Sequence, residues 1–343
     1  MSDYILTADV GGTNTQLACF KLEDNQPPQH FLGARFQSKG GNFPSQINQI
    51  LELAYNQSGV KINRACFAVA GIISADGERS AMGNVDWGVD CRELRDKTPL
   101  EELTLINDFQ ALGFGTNFLD ENNEKDLIRL PHPGNRYPSG NPTGTRAIIG
   151  AGTGLGHGIL VYSQQQKLYF PLNSEGSHCD LAATNDLEWR LVQYLRNNVS
   201  LNNHPDYERV ASGPGLVNIY NFLCLYETSP SHKIIEKAPD KAAAITENTT
   251  NDPTCQQTIQ IFLRFYARAA KNLAITCMAT GGLYLGGGIT PKILPLIQKS
   301  AFAQIFEESD RLHHRDALRE IPLWIIINPR TALLGAAMWR GNS

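Results

Sequence analysis

Two glycine-rich turns dominate the sequence, and each one separates two apolar runs of strand length. The first turn is VGGTN at 10–14, between apolar runs at 4–9 and 16–21. The second lies in AIIGAGTGLGHGIL, in which every other residue from 150 to 158 is glycine. Glycine loses much conformational entropy on folding, so such turns indicate a backbone that bends sharply or approaches another group closely. The repeated order of strand, turn and strand predicts two hairpins that face each other across a cleft.

The two turns are suited to binding phosphate. Consecutive backbone N–H groups in a glycine turn form a concave anion site, because no side chain blocks the approach. Neither turn has the GxxxxGK[ST] pattern of a P-loop, and the glycines at 150–158 lack the GxGxxG spacing of dinucleotide folds. Either turn alone is also compatible with an ordinary tight hairpin. Together they favour a nucleotide as ligand.

Length and charge narrow the class of protein. The 343 residues predict about two domains, at roughly 150 residues each. Apolar residues make up 42% and charged residues 19%, which is ordinary for a soluble α/β enzyme. The net charge of -4 argues against a strongly basic surface for nucleic acid. We therefore expect no nucleic-acid partner.

The compartment follows from the amino terminus, the apolar runs and the cysteines. The opening MSDYILTADVGGTN lacks the basic head and long apolar core of a secretory signal. Apolar runs such as 323–327 are too short to span a bilayer, so no membrane partner is expected. Seven scattered cysteines without a CxxC pair indicate reduced thiols. These features predict a cytoplasmic protein.

Periodicity predicts further elements. Apolar residues at helical spacing from Phe43 to Ala54 indicate a helix that ends near Gly59, and strands at 65–73 and 103–107 complete a first sheet. Polar residues, prolines and glycines at 120–145 predict a long surface loop between lobes. The remaining expected elements are helices at 186–197, 215–225 and 254–279 with Gly281-Gly282 ending the last, a strand at 283–285, a helix opened by Pro291, a strand at 323–327 and a helix at 331–340.

Asp9 stands at the end of the first apolar run, directly before the first turn. A carboxylate there is placed to hold Mg²⁺ through water beside the phosphates of a nucleotide. The alternative is an aspartate that caps its own turn. Thr13 and Thr153 offer hydroxyl donors to phosphate, although they also serve to stabilise the turns.

Asn107 and Asp108 follow the apolar run 103–106. A carboxylate at the carboxyl end of a strand lies where open α/β sheets bind ligands. Phosphoryl transfer to an alcohol needs a group that accepts the hydroxyl proton, and aspartate commonly does this. The alternative is a helix N-cap.

Polar residues that suit a sugar occur in two further segments. SEGSH at 174–178 carries Glu175 and His178, and ERVASGPG at 208–215 begins with Glu208. The fixed hydroxyls of a sugar need such acceptors. An alternative metal site at Glu175, His178 and Asp180 is only weakly supported, because no matching Cys or His pair accompanies it.

Six motifs in order resemble the bacterial-type glucokinase family of the hexokinase and actin-like superfamily. They are DVGGTN at 9, NDF at 107, GAGTGLG at 150, EGSH at 175, ERVASGPG at 208 and LGGGI at 285. The resemblance extends from about residue 4 to residue 338. The chain lacks the cysteine-rich zinc motif of the repressor and sugar-kinase relatives, which places it in a zinc-free branch.

The resemblance implies an α/β fold of actin-like or ribonuclease H-like type, with a small domain (1–117 plus 327–343), a larger domain (118–326) and a cleft between them. It also implies a homodimer. The positions that match the family's site residues are, for the catalytic base, Asp108; for glucose, Asn84, Asn107, Asp108, Glu175, His178 and Glu208; for ATP, Ala8, Asp9, Val10, Gly11, Gly12, Thr13, Gly152, Thr153 and Gly154; and, near the adenosine, Gly286, Gly287 and Gly288.

The expected activity is phosphorylation of glucose on its 6-hydroxyl by ATP with Mg²⁺, with Asp108 as general base. ADP or polyphosphate as donor stays open at this point. Two other functions also fit parts of the pattern. An actin-like ATPase would use the same turns without the sugar-facing residues, and a non-catalytic sugar sensor would bind glucose without turnover.

Overall fold

The computed structural model describes residues 3–12, 14–23, 26–38, 42–81, 88–172 and 174–339. The chain forms two compact units, one from 1–126, 163–172 and 328–343 and the other from 127–162 and 173–327. The strands are β1 Asp3–Val10, β2 Asn14–Leu22, β3 Gln29–Gln37, β4 Arg64–Val69, β5 Ile72–Ile73, β6 Arg79–Ala81, β7 Val89–Asp90, β8 Glu102–Asn107, β9 Leu127–Leu130, β10 Arg146–Ala151, β11 Leu155–Ser163, β12 Leu168–Leu172, β13 Gly282–Gly286 and β14 Leu323–Ile326.

The helices occur among these strands, singly or in runs. They are α1 Phe43–Ser58, α2 Cys91–Lys97, α3 Asp108–Gly115, α4 Asp186–Asn198, α5 Gly213–Leu223, α6 His232–Lys237, α7 Lys241–Glu247, α8 Pro253–Cys277, α9 Leu294–Lys299, α10 Phe302–Glu307, α11 Leu312–Arg319 and α12 Thr331–Met338. None of the described helices combines the length and the apolar character that crossing a bilayer requires.

The first unit is built on a five-stranded sheet with the order β3-β2-β1-β4-β8. β1, β4 and β8 are parallel, and the hairpin of β1 and β2 extends the sheet in antiparallel fashion. Alternate residues of β1 face opposite sides, so Leu6 packs with α1 while Ile5 packs with α3 and α12. Helices cover both faces of this sheet, and Asp9 and Asn107 at its strand ends are half-buried.

The second unit contains a sheet in which β11, β10, β13, β14 and β9 lie side by side. The central strands β10, β13 and β14 are parallel, and their nearly continuous apolar runs are buried on both faces, as is usual for parallel strands. The long helix α8 packs against α5 and α10 in the core of this unit. Because β10 and β13 are parallel neighbours, their carboxyl ends meet at one edge of the sheet.

Most predicted elements are confirmed, with shifts of a few residues. The predicted helix near 43–59 is α1, which ends before Gly59 in the left-handed conformation. The long helix α8 ends at Cys277, because Met278 rather than Gly281-Gly282 takes the left-handed cap. The helix expected from Pro291 begins only at Leu294. The backbone of Ile289 is held by Ala151, which delays the helix.

Among the described strands, five were not predicted: β3, β6, β7, β9 and β12. β3 has exposed and half-buried residues throughout, so its apolar alternation is weak, and its pairing with β2 forms it. The expected loop at 120–145 was wrong in part, because β9 lies inside it and pairs with β14. β9 has only four residues, and its burial comes from the partner strand rather than from its own pattern.

Candidate active site

The first unit brings both of its predicted acidic residues to one edge of the sheet. Val10 pairs with Val69, and Val69 pairs with Asn107, so β1, β4 and β8 end together. Neighbouring strands lie about 4.8 Å apart, which separates the backbones at Val10 and Asn107, the residues next to Asp9 and Asp108, by roughly 10 Å. Ligands of open α/β sheets bind at such carboxyl ends.

The first glycine turn is closed within itself. The N–H of Gly11 donates to the carbonyl of Asn14 at 3.1 Å. The hydroxyl of Ser38 donates to the carbonyl of Gly11 at 2.6 Å and also contacts the hydroxyl of Thr15. None of the described residues accepts a hydrogen bond from the N–H of Gly12. That donor is available to an anion, and Ser38 is a supporting residue that the sequence did not reveal.

Asp9 is partly exposed at the mouth of this turn. Among the residues with a described position, none donates a hydrogen bond to its carboxylate. Burial raises the pKa of Asp9 to about 6, because desolvation disfavours the charged form. A carboxylate with few donors gains most from a cation, so the side chain fits a hard metal ion such as Mg²⁺.

The capping role at the start of α3 belongs to Asn107 and not to Asp108. The Asn107 side chain accepts from the N–H groups of Phe109 and Gln110, and the Gln110 side chain accepts from the N–H of Asn107. Asp108 is the first helical residue, and its Oδ1 accepts from Phe109 N at 2.9 Å. The first turn of a helix is a favourable position for a negative charge. Asp108 is thus held in place without being needed as the cap.

The second glycine turn repeats the plan of the first. The N–H of Gly152 donates to the carbonyl of Gly154 at 2.8 Å. The carbonyl of Gly152 accepts from Gly213 N at 2.8 Å, which joins the turn to the amino terminus of α5. Within the described part of the chain, nothing accepts from the N–H groups of Thr153 and Gly154. These two donors can bind phosphate oxygens.

The glycines that follow β13 lie beside the second turn. β10 and β13 run parallel, and Gly150 pairs with Gly286. Gly287 has a φ of 81°, a conformation that favours glycine, and a methyl group on Gly152 would lie 3.7 Å from Gly288 N. The positions matched to the adenosine and to the phosphates are therefore neighbours within the second unit.

Glu208 is connected directly to the second turn. Its Oε2 accepts from Leu155 N at 2.9 Å. A methyl group on Gly154 would lie 2.6 Å from the same oxygen, so any larger residue there would displace the Glu208 carboxylate or the turn. The hydrogen bond from Leu155 N joins the residue predicted to bind sugar, Glu208, to the turn predicted to bind phosphate.

His178 lies between two carboxylates. Its Nδ1 is 2.9 Å from Asp206 Oδ2, and its Nε2 is 3.9 Å from Glu175 Oε2. The hydrogen bond with Asp206 raises the pKa of His178, and the charges of Glu208, Asp206 and Glu175 act in the same direction. Asp206 was missed by the sequence prediction. Its position three residues before Arg209, as an N-cap, was the available signal.

Two predicted site residues, Thr13 and Asn84, lie outside the described residues. Within the described ranges, no group of three or more His, Cys, Asp or Glu side chains is arranged to hold a metal ion. The alternative metal site at Glu175, His178 and Asp180 therefore gains no support.

The site thus combines three features: glycine turns with N–H groups for which the described residues offer no acceptor, carboxylates at the ends of parallel strands, and polar groups suited to hydroxyls. This combination is typical of an enzyme that transfers a phosphoryl group from a nucleotide to an alcohol. A sequence model of the glucokinase family matches residues 6–343, and the chain belongs to that family. The glucokinase of Nostoc punctiforme is 35% identical over 351 aligned residues, which cover 97% of this chain and 98% of that protein. The family predicted from the six motifs is confirmed.

Solved structures agree with the sequence match. The crystal structure of glucokinase from an Antarctic psychrotroph has a TM-score of 0.75 and 29% identity, with 98% of both chains covered. The glucokinase of Balamuthia mandrillaris, in complex with glucose, has a TM-score of 0.76 at 21% identity and covers 98% of this chain and 92% of its own. The second likeness shows the fold alone. The predicted actin-like α/β fold is confirmed.

Proposed function

We propose that this chain is an ATP-dependent glucokinase that transfers the γ-phosphoryl group of ATP to the 6-hydroxyl of glucose. The observation that carries the proposal is a family match over residues 6–343 in a chain whose sheet edges present two glycine turns with unbonded N–H groups and an aspartate at the start of α3. A family match alone identifies relatives of the chain but does not show which groups carry out the chemistry. The turns and the carboxylate supply the chemistry that phosphoryl transfer to an alcohol requires.

Asp108 is the general base of this proposal. It stands at the end of β8, on the same sheet edge as the first glycine turn, and its Oδ1 is oriented by Phe109 N. The carboxylate would accept the proton of the 6-hydroxyl as that oxygen attacks the γ-phosphorus, while the bond to the β-phosphate oxygen breaks. Because Asn107 caps α3, the Asp108 side chain is not required for the helix.

The two glycine turns would bind the phosphates of ATP. The donors are the N–H groups of Gly12, Thr153 and Gly154, with the amino terminus of α5 behind the second turn. Gly286, Gly287 and Gly288 would lie beside the adenosine. Asp9 would hold Mg²⁺ through water, and such an ion neutralises charge on the phosphates when it is bound.

Glucose would be recognised by Asn107, Glu175, His178 and Glu208, together with Asn84. The supporting observation is that Glu208 and His178 are each fixed by hydrogen bonds, to Leu155 N and to Asp206 respectively. Fixed polar groups discriminate among fixed hydroxyls, since a buried partner left unpaired costs about 1–3 kcal/mol. Sugars that invert a contacted hydroxyl should therefore be poorer substrates.

A coupled assay of ADP formation tests the activity. A kinase forms ADP only when glucose is present, an actin-like ATPase forms it equally without glucose, and a sugar sensor forms almost none. Replacing ATP by ADP or polyphosphate as donor should abolish phosphorylation of glucose. ADP formation that is independent of glucose, or glucose phosphorylation that prefers another donor, would overturn the proposal.

The proposed assembly and compartment are a homodimer in the cytoplasm. Light scattering on the purified protein should give twice the 37.8 kDa of one chain. A mass of one chain at assay concentration would contradict the dimer.

A further inference from the structure

Asp206 joins the two segments that carry the proposed sugar ligands of the second unit. It precedes the short 3₁₀ helix Tyr207–Arg209, and its Oδ1 accepts from Arg209 N at 3.2 Å. Its Oδ2 bonds His178 Nδ1 at 2.9 Å. One carboxylate thus caps the turn that bears Glu208 and orients the ring of His178.

The backbone supports the same junction. Asp180 and Asp206 form an antiparallel bridge, and Tyr207 N donates to Cys179 O at 3.3 Å. Asp206 is largely buried, with 20% of its side chain exposed, whereas 49% of the His178 side chain is exposed. The shielded partner is the carboxylate, and the accessible partner is the imidazole. The His178 ring is therefore accessible to a ligand, while the Asp206 carboxylate bonds the ring from its shielded side.

Three carboxylates and one guanidinium surround His178 and its partner. Asp206 caps the 3₁₀ helix, Glu175 lies on the same segment as His178, and Glu208 follows Asp206 by two residues. The guanidinium is that of Arg209, whose Nε is 3.9 Å from Asp206 Oδ1 on the side away from the bond to His178 Nδ1, which uses Oδ2. The opposing group is His157 on β11, whose own pKa is lowered to about 4 by burial, with a smaller effect from His178. His157 is therefore neutral at physiological pH, and the hydrogen bond with Asp206 and the nearby carboxylates raise the pKa of His178.

The proton on Nδ1 faces Asp206, which leaves Nε2 to meet the sugar. When the ring is doubly protonated, Nε2 donates a hydrogen bond; when the ring loses a proton, Nε2 becomes an acceptor. A neighbouring carboxylate favours the doubly protonated ring. The direction of the hydrogen bond that His178 offers to a hydroxyl thus depends on the charge of Asp206.

We infer that Asp206 is a positioning residue for sugar binding, which holds the ring of His178 and the Glu208 turn in one arrangement and keeps Nε2 of His178 a hydrogen-bond donor. The inference rests on the proposed function, in which His178 and Glu208 bind glucose. Asp206 itself need not touch the sugar. Its effect should appear in the affinity for glucose and in the pH dependence of that affinity.

Two substitutions separate the cap from the charge. Asp206→Asn keeps an oxygen that caps the 3₁₀ helix but removes the negative charge, and Asp206→Ala removes both. Asp240→Asn is the matched control, since Asp240 caps α7 by accepting from Ala243 N at 3.0 Å and, among the described residues, is bonded to no imidazole. The KM for glucose, the KM for ATP and kcat are measured from about pH 6 to pH 9.

In the wild type the KM for glucose should rise as the pH passes through the raised pKa of His178. In Asp206→Asn this rise should begin at lower pH and reach about tenfold near pH 7.5, with kcat and the KM for ATP changed little. Asp206→Ala should raise the KM for glucose at every pH. The control should follow the wild type.

An NMR titration of the His178 ring, assigned with His178→Gln, gives a readout that does not depend on activity. The midpoint should be lower in Asp206→Asn than in the wild type. An unchanged midpoint together with an unchanged profile of KM against pH would overturn the inference. If the wild type does not phosphorylate glucose, the proposed function fails, while a shifted midpoint would still establish the effect of Asp206 on His178. If Asp206→Ala does not fold, Asp206→Asn decides.

Discussion

The two glycine turns share one backbone feature, a hydrogen bond from a glycine N–H to a carbonyl of the same turn, but their surroundings differ. In both, an early glycine N–H bonds inside the turn, Gly11 to Asn14 and Gly152 to Gly154, and the residues that the structure describes offer no acceptor for a later N–H, that of Gly12 in the first turn and those of Thr153 and Gly154 in the second. The first turn follows a carboxylate, Asp9, and is supported by the hydroxyl of Ser38. The second has no such acid before it and is held by Gly213 N and by the approach of Glu208.

This difference divides the work between the units. The first unit carries the two acids proposed for the chemistry, Asp9 and Asp108, on one sheet edge. The second unit connects its phosphate turn to a proposed sugar ligand through Leu155 and Glu208. Changes at Asp9 and Asp108 should therefore alter turnover, whereas changes where Glu208 meets the second turn should alter the binding of nucleotide and sugar together.

The largest effect is expected at Asp108. Asp108→Ala should lower kcat by about 10² to 10⁴, because the proton acceptor is gone, while glucose still binds. Asp186→Ala is a matched control, since Asn185 caps α4 and Asp186 is its first residue, as Asn107 and Asp108 are for α3. Stopped assays give kcat, and calorimetry gives glucose binding. Near-normal turnover in Asp108→Ala would show that Asp108 is not the general base.

Gly154→Ala tests the connection within the second unit. The added methyl group would lie 2.6 Å from Glu208 Oε2, so either the turn or the carboxylate must move. We expect the KM values for glucose and for ATP to rise together, by about tenfold or more, at a stability cost of about 1–3 kcal/mol. Gly152→Ala meets nothing closer than 3.7 Å and should be milder. A rise in only one of the two KM values would contradict the proposal that Glu208 links sugar binding to nucleotide binding.

Asp9→Asn tests the charge at the first turn. The pKa of Asp9 is raised from 3.8 to about 6, so folding favours the protonated acid, and this contribution is lost as the pH rises through about 6. The variant should match the wild type in stability below about pH 4 and exceed it by about 2 kcal/mol near pH 8, once partial exposure is allowed for. Denaturant unfolding at both pH values measures this. Activity with Mg-ATP should fall although stability rises, and a variant that is less stable at pH 8 would contradict the assignment.

The smallest effect is expected at Ser38. Ser38→Ala removes the hydrogen bond to the carbonyl of Gly11, which should cost about 1 kcal/mol and raise the KM for ATP a few-fold. Ser58→Ala removes a similar bond, to Ala54 O at the end of α1, and serves as the control. Unfolding curves should show similar losses for both, but only Ser38→Ala should change the KM for ATP. An equal KM in both variants would mean that the turn keeps its shape without Ser38.

The sequence predicted the parts of the fold that are specified locally. Both hairpins, α1, α8 and the strand before Asp108 have strong apolar patterns with glycine or polar ends. β3 and β9 were missed because their burial comes from partners distant in sequence. The same limit applies to Ser38 and Asp206, whose roles depend on hydrogen bonds to residues 27 and 28 positions away.

The dipeptide Asn-Asp shows the limit most clearly. It begins both α3 and α4, and in each the asparagine side chain accepts from the N–H three residues further on. What distinguishes Asp108 from Asp186 is the strand before it, which pairs with β4 and ends at the edge that also holds Asp9. The Asn-Asp motif alone does not indicate a general base; the motif at the carboxyl end of a strand beside Asp9 does.

Hydrogen exchange at the two turns tests the central claim most directly. The N–H groups of Gly12, Thr153 and Gly154 should exchange rapidly in the free protein, because no described residue accepts from them. Adding a non-hydrolysable ATP analogue with Mg²⁺ should slow exchange in both turns, and glucose alone should not. Protection of neither turn, or of one turn only at saturating nucleotide, would contradict the account.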